Sequence, residues 1–367
     1  MSNLTVAGTP PHCAAMMLNP EIGLRLAQER AEALRLDAAR CGTSPGVLTR
    51  LAFARRLSGP RYDKETLMST TQDWTAHAGD GPARYQRLLV PAVFDPFARR
   101  LIAQVGVTPG MRILDIACGT GAVSRVAARA AGPTGSVVAV DISPPMLAIA
   151  AVCASEAGAA PIDYREGRAE APPVKEHAFD LVLCQQGVQF FADRASALAA
   201  VGRALVAGGG VAIATWTDLP ATTSFAALAD ALERHLGADA GVQMRQPWSL
   251  SDGEELRELA AEAGFRQIEV STHTGTARFP RQDFARELVL ATPLAKRFAA
   301  ATAHAREAIL ADVTDAVSAC EGDAHELRHP LTTNVLTAVA PDPIARPHAN
   351  RIDSRPQARP QLLGGAR

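Results

Sequence analysis

Two aspartates each end a short apolar run in the first half of the chain. Asp115 lies in LDIACGTGAVS, just before Gly119 and Gly121, and Asp141 ends the next run in VVAVDIS. Glycines at such a turn let a ligand approach the main chain without a Cβ in the way. A carboxylate after the following strand can accept both hydroxyls of a ribose. The pair therefore indicates a nucleoside-containing ligand, with Ile142 placed to pack on its adenine.

Asp115 also discriminates between two ligands that use this architecture, a dinucleotide and S-adenosylmethionine. The dinucleotide fingerprint needs a third glycine, where this chain has Ser124. A carboxylate at the strand end would repel a pyrophosphate on the same turn, but it attracts an ammonium and a sulfonium. Asp115 therefore favours S-adenosylmethionine and leaves NAD-dependent oxidoreduction as an alternative.

The segments around these residues alternate between strand and helix patterns. Helical stretches are predicted from Gly121, Ser143 and Arg194, because helix-forming residues dominate there. Strands as apolar as those between them are buried on both faces, as in a parallel sheet. The pattern predicts a doubly wound α/β domain. The predicted strands are RILDIAC at 112–118, SVVAVD at 136–141, FDLVLCQ at 179–185, GVAIATW at 210–216, QIEVST at 267–272 and LTTNVLTAVA at 331–340, with 281–328 mostly helical.

Four motifs occur together in the order ILDIACGTGAVS, VVAVDISPPML, FDLVLCQQGVQFF and RALVAGGGVAIATW. In this order and spacing they resemble the class I S-adenosylmethionine-dependent methyltransferases, and within that family the ubiquinone and menaquinone biosynthesis type. The resemblance covers roughly residues 70–340. It implies a Rossmann-like seven-stranded sheet whose last strand, LTTNVLTAVA, is antiparallel.

The resemblance also implies roles for individual residues. Asp115, Ala117 and Gly119 would line the methionine moiety, and Asp141 would hold the ribose. Ala169 would contact adenine through its backbone, and Gln185 would lie near the transferring methyl group. The predicted cofactor-binding residues are Asp115, Ala117, Gly119, Gly121, Asp141, Ile142, Ala169 and Gln185.

Two positions depart from the family's pattern. Arg168, in REGRAEAPP, stands where the family often has an aspartate that binds the adenine amino group. Ala207 stands where a proline usually precedes the fifth strand. Arg168 therefore bears directly on how adenine is recognised.

The composition limits the class of partner. The chain has 37 basic and 38 acidic residues, a formal net charge of -1, which offers no bulk attraction to nucleic acid or to an anionic membrane. Six cysteines occur without a C-x-x-C pair, and the apolar stretches are too short to span a bilayer. These features predict a cytoplasmic protein with a small-molecule acceptor, no nucleic-acid partner and no integral membrane segment.

Three regions are predicted from the distribution of charge, proline and apolar residues. Residues 1–67 read as a helical, locally basic N-terminal extension, and Met68 opens the methyltransferase domain, which ends at 340. Within that domain, 217–250 and 281–330 are predicted to form a cap over the acceptor. Residues 341–367 are rich in proline and arginine with little to bury, and are predicted to be disordered.

The histidines of the chain raise the questions of a metal site and of a general base. HELRH at 325–329 matches a zinc motif, but Pro330 ends any helix there, so we predict a loop and no metal. Candidate bases are His273, His304 and His329, none of which has a motif around it. Tyr85 is a further catalytic candidate, which could close over the cofactor in a lid-forming segment. Phe190, Phe191 and Trp216 read as core residues.

The predicted function is in-line transfer of the methyl group of S-adenosylmethionine to a small apolar or quinone-like acceptor. A sensor or scaffold that binds the cofactor without turnover is the alternative from another class. It would bind the cofactor and methylate no acceptor.

Overall fold

The computed structural model of the chain describes residues 79–153, 155–220, 223–318 and 325–340. The predicted extension at 1–67 and tail at 341–367 lie outside these residues. Seven strands form one sheet in the order β3-β2-β1-β4-β5-β7-β6. The strands are β1 Arg112–Ile116, β2 Ser136–Asp141, β3 Ile162–Glu166, β4 Phe179–Gln185, β5 Leu205–Trp216, β6 Arg266–Pro280 and β7 Glu326–Val339.

The pairing confirms the predicted fold class. Strands β1 to β5 pair in parallel, whereas β7 runs antiparallel to both β5 and β6. In the central register Asp115 of β1 lies between Ala139 of β2 and Leu183 of β4. The carboxyl ends of these three strands therefore meet at one edge of the sheet, which is where ligands bind in doubly wound folds.

Helices cover both faces of the sheet, because alternate residues of its apolar strands point to opposite sides. In β1, Ile113 packs in one buried cluster and Leu114 in another, and neither side chain is exposed. The helices are α1 Gly81–Leu89, α2 Asp95–Val105, α3 Ala122–Ala131, α4 Pro144–Val152, α5 Arg194–Ala204, α6 Ser224–Leu236, α7 Ala238–Arg245, α8 Gly253–Glu262, α9 Phe284–Leu290, α10 Ala295–Ala300 and α11 Ala303–Ser318.

Short non-α turns extend three of these helices or strands. A π-helical turn, Val90–Phe94, joins α1 to α2, and 3-10 turns occupy Val188–Phe190 after β4 and Gln246–Trp248 after α7. Each of these three turns contributes residues to the pocket described below.

The motif HELRH was predicted to lie in a loop, and this is wrong. Glu326 to His329 belong to β7, whose first half pairs only with β6. Pro330, opposite Thr276 of β6, is tolerated there because β5 pairs with β7 only from Thr333 onward, so the missing N–H breaks no central ladder. A strand cannot place the two histidines one helical turn apart, and the part of the chain that the structure describes holds no group of three or more His, Cys, Asp or Glu able to bind a metal.

Strand β3 was not among the segments predicted from the pattern. Its sequence IDYRE is half polar, and its side chains are exposed or half-buried because it forms the edge of the sheet. Edge strands carry charged residues that discourage pairing with other chains, so they lack the apolar run used to find the central strands.

Beyond the sheet, helices α6, α7 and α9 to α11 form a helical layer with its own core. Leu228 and Leu232 of α6 pack in one cluster with Ile309 and Val313 of α11. None of the described helices is both long and apolar enough to cross a membrane.

Candidate active site

A pocket of about 470 Å³ lies at the carboxyl ends of the parallel strands. The segments after β1, β2, β3 and β4 line one part of it, and α1, its π-helical turn and the helical layer line the rest. The sequence-predicted residues that line it are Tyr85, Asp115, Ala117, Gly119, Asp141, Ile142, Ala169 and Gln185.

The two glycines after β1 have different surroundings. Both adopt a positive φ, 55° at Gly119 and 80° at Gly121. A Cβ on Gly121 would lie 2.7 Å from the Tyr164 hydroxyl oxygen, whereas one on Gly119 would meet no described atom within 4 Å. Gly119 lines the pocket and Gly121 does not. The first glycine therefore leaves room for a ligand, and the second leaves room for Tyr164.

This difference predicts two distinct outcomes for alanine. Gly121→Ala is expected to lower the free energy of unfolding by roughly 2–3 kcal/mol, through strain at positive φ and the clash with Tyr164. Gly119→Ala should cost the fold only about 1 kcal/mol while weakening ligand binding, because its Cβ enters the pocket. Chemical denaturation and ligand titration of both variants measure the two effects. Equal losses of stability would contradict the assignment, and Tyr164→Phe should partly rescue Gly121→Ala.

Asp141 ties the glycine turn to the next strand. Its two carboxylate oxygens accept hydrogen bonds from the backbone N–H of Gly119, at 2.7 Å, and of Ser143, at 2.9 Å. The residue is 8% exposed, and burial raises the pKa of its carboxyl despite these two donors. The carboxylate is thus held in one orientation at the pocket wall, with lone pairs left for a ligand.

Asp115 is more deeply buried. It is 1% exposed, and the Ser124 hydroxyl donates to it at 2.5 Å. Burial raises the pKa of Asp115 to about 7, the Ser124 hydrogen bond opposes that rise, and the nearby charge of Asp141 adds to it. A carboxylate that is costly to ionise in the pocket wall is stabilised most by a cationic ligand.

Backbone strain is concentrated at the same edge of the sheet. Ala117 after β1 has φ 57° and Gln186 after β4 has φ 58°, and both residues line the pocket. Left-handed conformations of this kind cost a non-glycine residue of order 1–3 kcal/mol and occur often at ligand sites. They expose the backbone of both strand ends to the pocket.

The outer wall carries an exposed apolar side chain. Ile142, directly after Asp141, is 39% exposed although it lines the pocket. Ala169 is buried, and its neighbour Arg168 forms an ion pair with Glu170 at 3.4 Å. Ile142 and Ala169 offer an apolar surface of the kind that a flat base covers, and the charged pair Arg168 and Glu170 also lines the pocket.

Comparison with known proteins identifies this arrangement. Residues 113–209 match the family described as "Methyltransferase domain". Nocamycin O-methyltransferase of Saccharothrix syringae is 38% identical over 112 residues, 30% of this chain and 40% of that protein. Demethylmenaquinone methyltransferase of Lactococcus lactis is 27% identical over 194 residues, 50% of this chain and 77% of that protein. The part of the chain that contains residues 113–209 is a class I S-adenosylmethionine-dependent methyltransferase domain.

One of the solved structures that the chain matches is that of Haemonchus contortus phosphoethanolamine N-methyltransferase 2 in complex with S-adenosyl-L-methionine. It is 21% identical, with a TM-score of 0.42, and the match covers 67% of this chain and 53% of that one. The chain spans about half the length of several curated relatives that it matches, from 40% to 58%.

The candidate bases lie in different places in this methyltransferase domain. Tyr85 lines the pocket and stacks on Phe94, with ring centroids 5.0 Å apart. Burial, reinforced by the charge of Asp141, raises the pKa of the Tyr85 hydroxyl far above its usual range, so it keeps its proton at neutral pH. It therefore forms wall and donor surface rather than a base.

The candidate bases His273, His304 and His329 are not among the residues that line the pocket. His273 on β6 contacts Arg100 at 3.0 Å and Gln104 at 2.8 Å, and partial burial with the Arg100 charge lowers its pKa. His329 is 1% exposed between Phe279 and Phe284, and burial lowers its pKa to about 4. No histidine occurs among the described residues that line the pocket.

The other part of the pocket is mostly aromatic. Phe190, Phe191 and Trp216, which the sequence reading assigned to the core, line the pocket, although Trp216 is also core because it is only 4% exposed. Phe225 and Trp248 were not predicted, and their ring centroids lie 5.6 Å apart. These residues come together only in the folded chain, and no sequence motif surrounds them.

Proposed function

We propose that this protein transfers the methyl group of S-adenosylmethionine to a small apolar or quinone-like acceptor. One observation carries the proposal: a single pocket joins two buried carboxylates and an open glycine turn to an aromatic wall. The carboxylates suit a ligand with an ammonium and ribose hydroxyls, and the wall suits an apolar molecule. The name of the Lactococcus relative, a demethylmenaquinone methyltransferase, supports the quinone-like class.

The residues of the pocket fit the cofactor on structural grounds. Space beside Gly119 accepts a ligand, Ile142 offers an exposed apolar face, and Gln185 has an amide oxygen without a hydrogen-bond partner among the described residues. Asp115 and Ala117 would hold the methionine portion, Asp141 the ribose, and Ile142 and Ala169 the adenine.

S-adenosylmethionine, when bound, supplies a methyl group on a sulfonium that is already activated for displacement. The protein's task is then to orient the acceptor, exclude water and keep the site's charges in place. Asp115 and Asp141 provide the negative charge, and Tyr85, Phe94 and Trp216 close the apolar side.

The proposed acceptor cap of the domain, 217–250 and 281–330, contains all the helices of the helical layer. Phe225, Met244 and Trp248 from its first part and Thr292 from its second part line the pocket. Helix α1, which carries Tyr85, is tied to the cap by ion pairs of Arg84 and Arg87 with Glu287. We propose that Met68 to residue 340 is the catalytic unit; its cytoplasmic location stays a prediction.

Calorimetric titration of the full chain with S-adenosylhomocysteine, with NAD as the comparison ligand, tests the proposal. We expect micromolar binding of the first and none of the second, followed by formation of S-adenosylhomocysteine from S-adenosylmethionine with phenolic and quinol acceptors. Binding without turnover on any acceptor would favour a sensor, and binding of NAD alone would overturn the cofactor assignment.

Arg168 provides a separate test of adenine recognition. Arg168→Asp is expected to tighten binding of S-adenosylhomocysteine by about 0.5–1.5 kcal/mol, because a carboxylate at this position accepts a hydrogen bond from the adenine amino group. Arg168→Ala is the matched control, since it removes the ion pair with Glu170 without adding an acceptor. If calorimetry gives both variants the same affinity, a carboxylate at this position does not contact adenine.

A further inference from the structure

Gln189 is a buried amide that the cofactor assignment does not use. It lies in the 3-10 turn after β4, is 1% exposed and lines the pocket. Its amide nitrogen donates to the carbonyl oxygen of Pro247 and to the Gln186 amide oxygen, both at 3.2 Å. Its own amide oxygen, Oε1, has no hydrogen-bond partner among the described residues.

The neighbours of Gln189 fix the orientation of its amide and leave its oxygen without a partner among the described residues. The Pro247 carbonyl can only accept a hydrogen bond, so reversing the amide would place two oxygens against each other. Gln186 is oriented in turn by donating to the Thr333 hydroxyl at 3.1 Å, which leaves its oxygen to face Gln189. The oxygen of Gln189 is therefore the atom left over for a ligand.

This oxygen receives no donor from the described residues, and much of the pocket around Gln189 is apolar or aromatic. The uncharged side chains of Phe94, Trp216, Phe225, Met244, Trp248 and Leu331 line the same pocket. A buried acceptor without a donor is costly, and a ligand that supplies the donor removes that cost. A hydrocarbon-like ligand without a donor would leave the cost in place.

We propose that Gln189 is a specificity-determining residue that selects a flat, uncharged acceptor carrying a hydroxyl or N–H group, which donates to Gln189 Oε1. This inference rests on the proposed function, since it concerns the acceptor part of the same pocket. Gln189 binds the acceptor and takes no proton from it, because an amide is not a base at neutral pH.

Paired ligands test this in the wild-type protein. With the protein saturated with S-adenosylhomocysteine, calorimetry compares 1-naphthol and 2-naphthol with their methyl ethers, which keep the rings and lose the donor. We expect each naphthol to bind about 10- to 100-fold more tightly than its ether. Equal affinities, or no binding of either naphthol, would overturn the proposal.

Two leucine variants assign the preference to one residue. Gln189→Leu is expected to reduce the preference for naphthol over its ether to about threefold or less, with unchanged affinity for S-adenosylhomocysteine. Gln246→Leu is the matched control, because Gln246 is also 1% exposed, its amide atoms have no partner among the described residues, and it does not line the pocket. An undiminished preference in Gln189→Leu would show that another group of the protein accepts the hydrogen bond.

The two proposals fail in different ways. Loss of S-adenosylhomocysteine binding in the wild type overturns the proposed function, whereas a missing naphthol preference in a protein that binds the cofactor overturns only the role of Gln189. A wild-type protein that does not prefer the naphthols overturns the role of Gln189 even if Gln189→Leu does not fold.

Discussion

Asp115→Asn is expected to weaken binding of S-adenosylhomocysteine about 100-fold at pH 7.5, or roughly 3 kcal/mol. Asp115 is 1% exposed, so its charge is poorly screened by water and strongly attracts a ligand ammonium beside it. Asparagine keeps the size of the side chain and an oxygen for Ser124 but removes the charge. Calorimetric titration of the variant measures the loss directly.

The pKa of Asp115 also predicts how the affinity for S-adenosylhomocysteine depends on pH. The pKa of Asp115 is about 7 without ligand, and a ligand ammonium lowers it by favouring the ionised form. Binding therefore releases a proton below pH 7, and the affinity should fall up to about tenfold for each pH unit between 7 and 5.5. In Asp115→Asn this slope should vanish.

The stability of the ligand-free protein should depend on pH in the opposite direction from its affinity for the ligand. Since folding raises the pKa of Asp115 from 3.8 to about 7, its contribution to stability is complete below pH 3.8 and is lost as the pH rises through 7. Asp115→Asn should then melt at a higher temperature than the wild type above pH 7. The control is Asp163→Asn on exposed β3, which should change neither quantity, and a pH slope retained by Asp115→Asn would exclude Asp115 as its source.

Asp141→Ala is expected to cost roughly 3 kcal/mol of binding free energy, at the upper end of what lost ribose hydrogen bonds alone explain. The additional loss comes from the protein itself. Without the carboxylate, the N–H groups of Gly119 and Ser143 lose the acceptor that holds the glycine turn beside the pocket. Titration with S-adenosylhomocysteine and with adenosine measures the loss for the whole ligand and for its nucleoside.

Asp141→Asn and Glu166→Gln complete this comparison. Asparagine keeps one oxygen but presents an NH₂ group to the second backbone donor, so its affinity should lie between those of the wild type and Asp141→Ala. Glu166 is an exposed carboxylate opposite Asp141 in the register of β2 and β3, so Glu166→Gln should bind like the wild type. Wild-type affinity in Asp141→Ala would remove Asp141 from the ribose site.

The cofactor part of the pocket was largely predictable because its residues are close in sequence to the ends of strands. Asp115, Gly119 and Asp141 follow apolar runs that must be parallel strands, and parallel strands bring their carboxyl ends to one edge. Gly121 is the exception, because it was predicted to bind the ligand but does not line the pocket. Its role depends on Tyr164 of β3, a contact that no local pattern reveals.

The acceptor part was not predictable in the same way. Phe94, Trp216, Phe225 and Trp248 come from four elements separated along the chain, and each alone is indistinguishable from a core aromatic. Two of the histidines that the sequence offered as bases lie on β6 and β7, where strand pairing and packing on Phe279 decide their surroundings.

The sequence by itself determined the fold class and the predicted positions of the cofactor acids, since these follow from apolar periodicity and short-range spacing, and the resemblance to methyltransferases implied the antiparallel last strand. Only the tertiary structure decided that HELRH forms part of a strand and that Asp115 is buried enough to shift its pKa. It also left the amide oxygen of Gln189, a residue that lines the pocket, without a hydrogen-bond partner among the described residues. Burial and hydrogen-bond completion depend on every neighbour in space, and those neighbours come from distant parts of the chain.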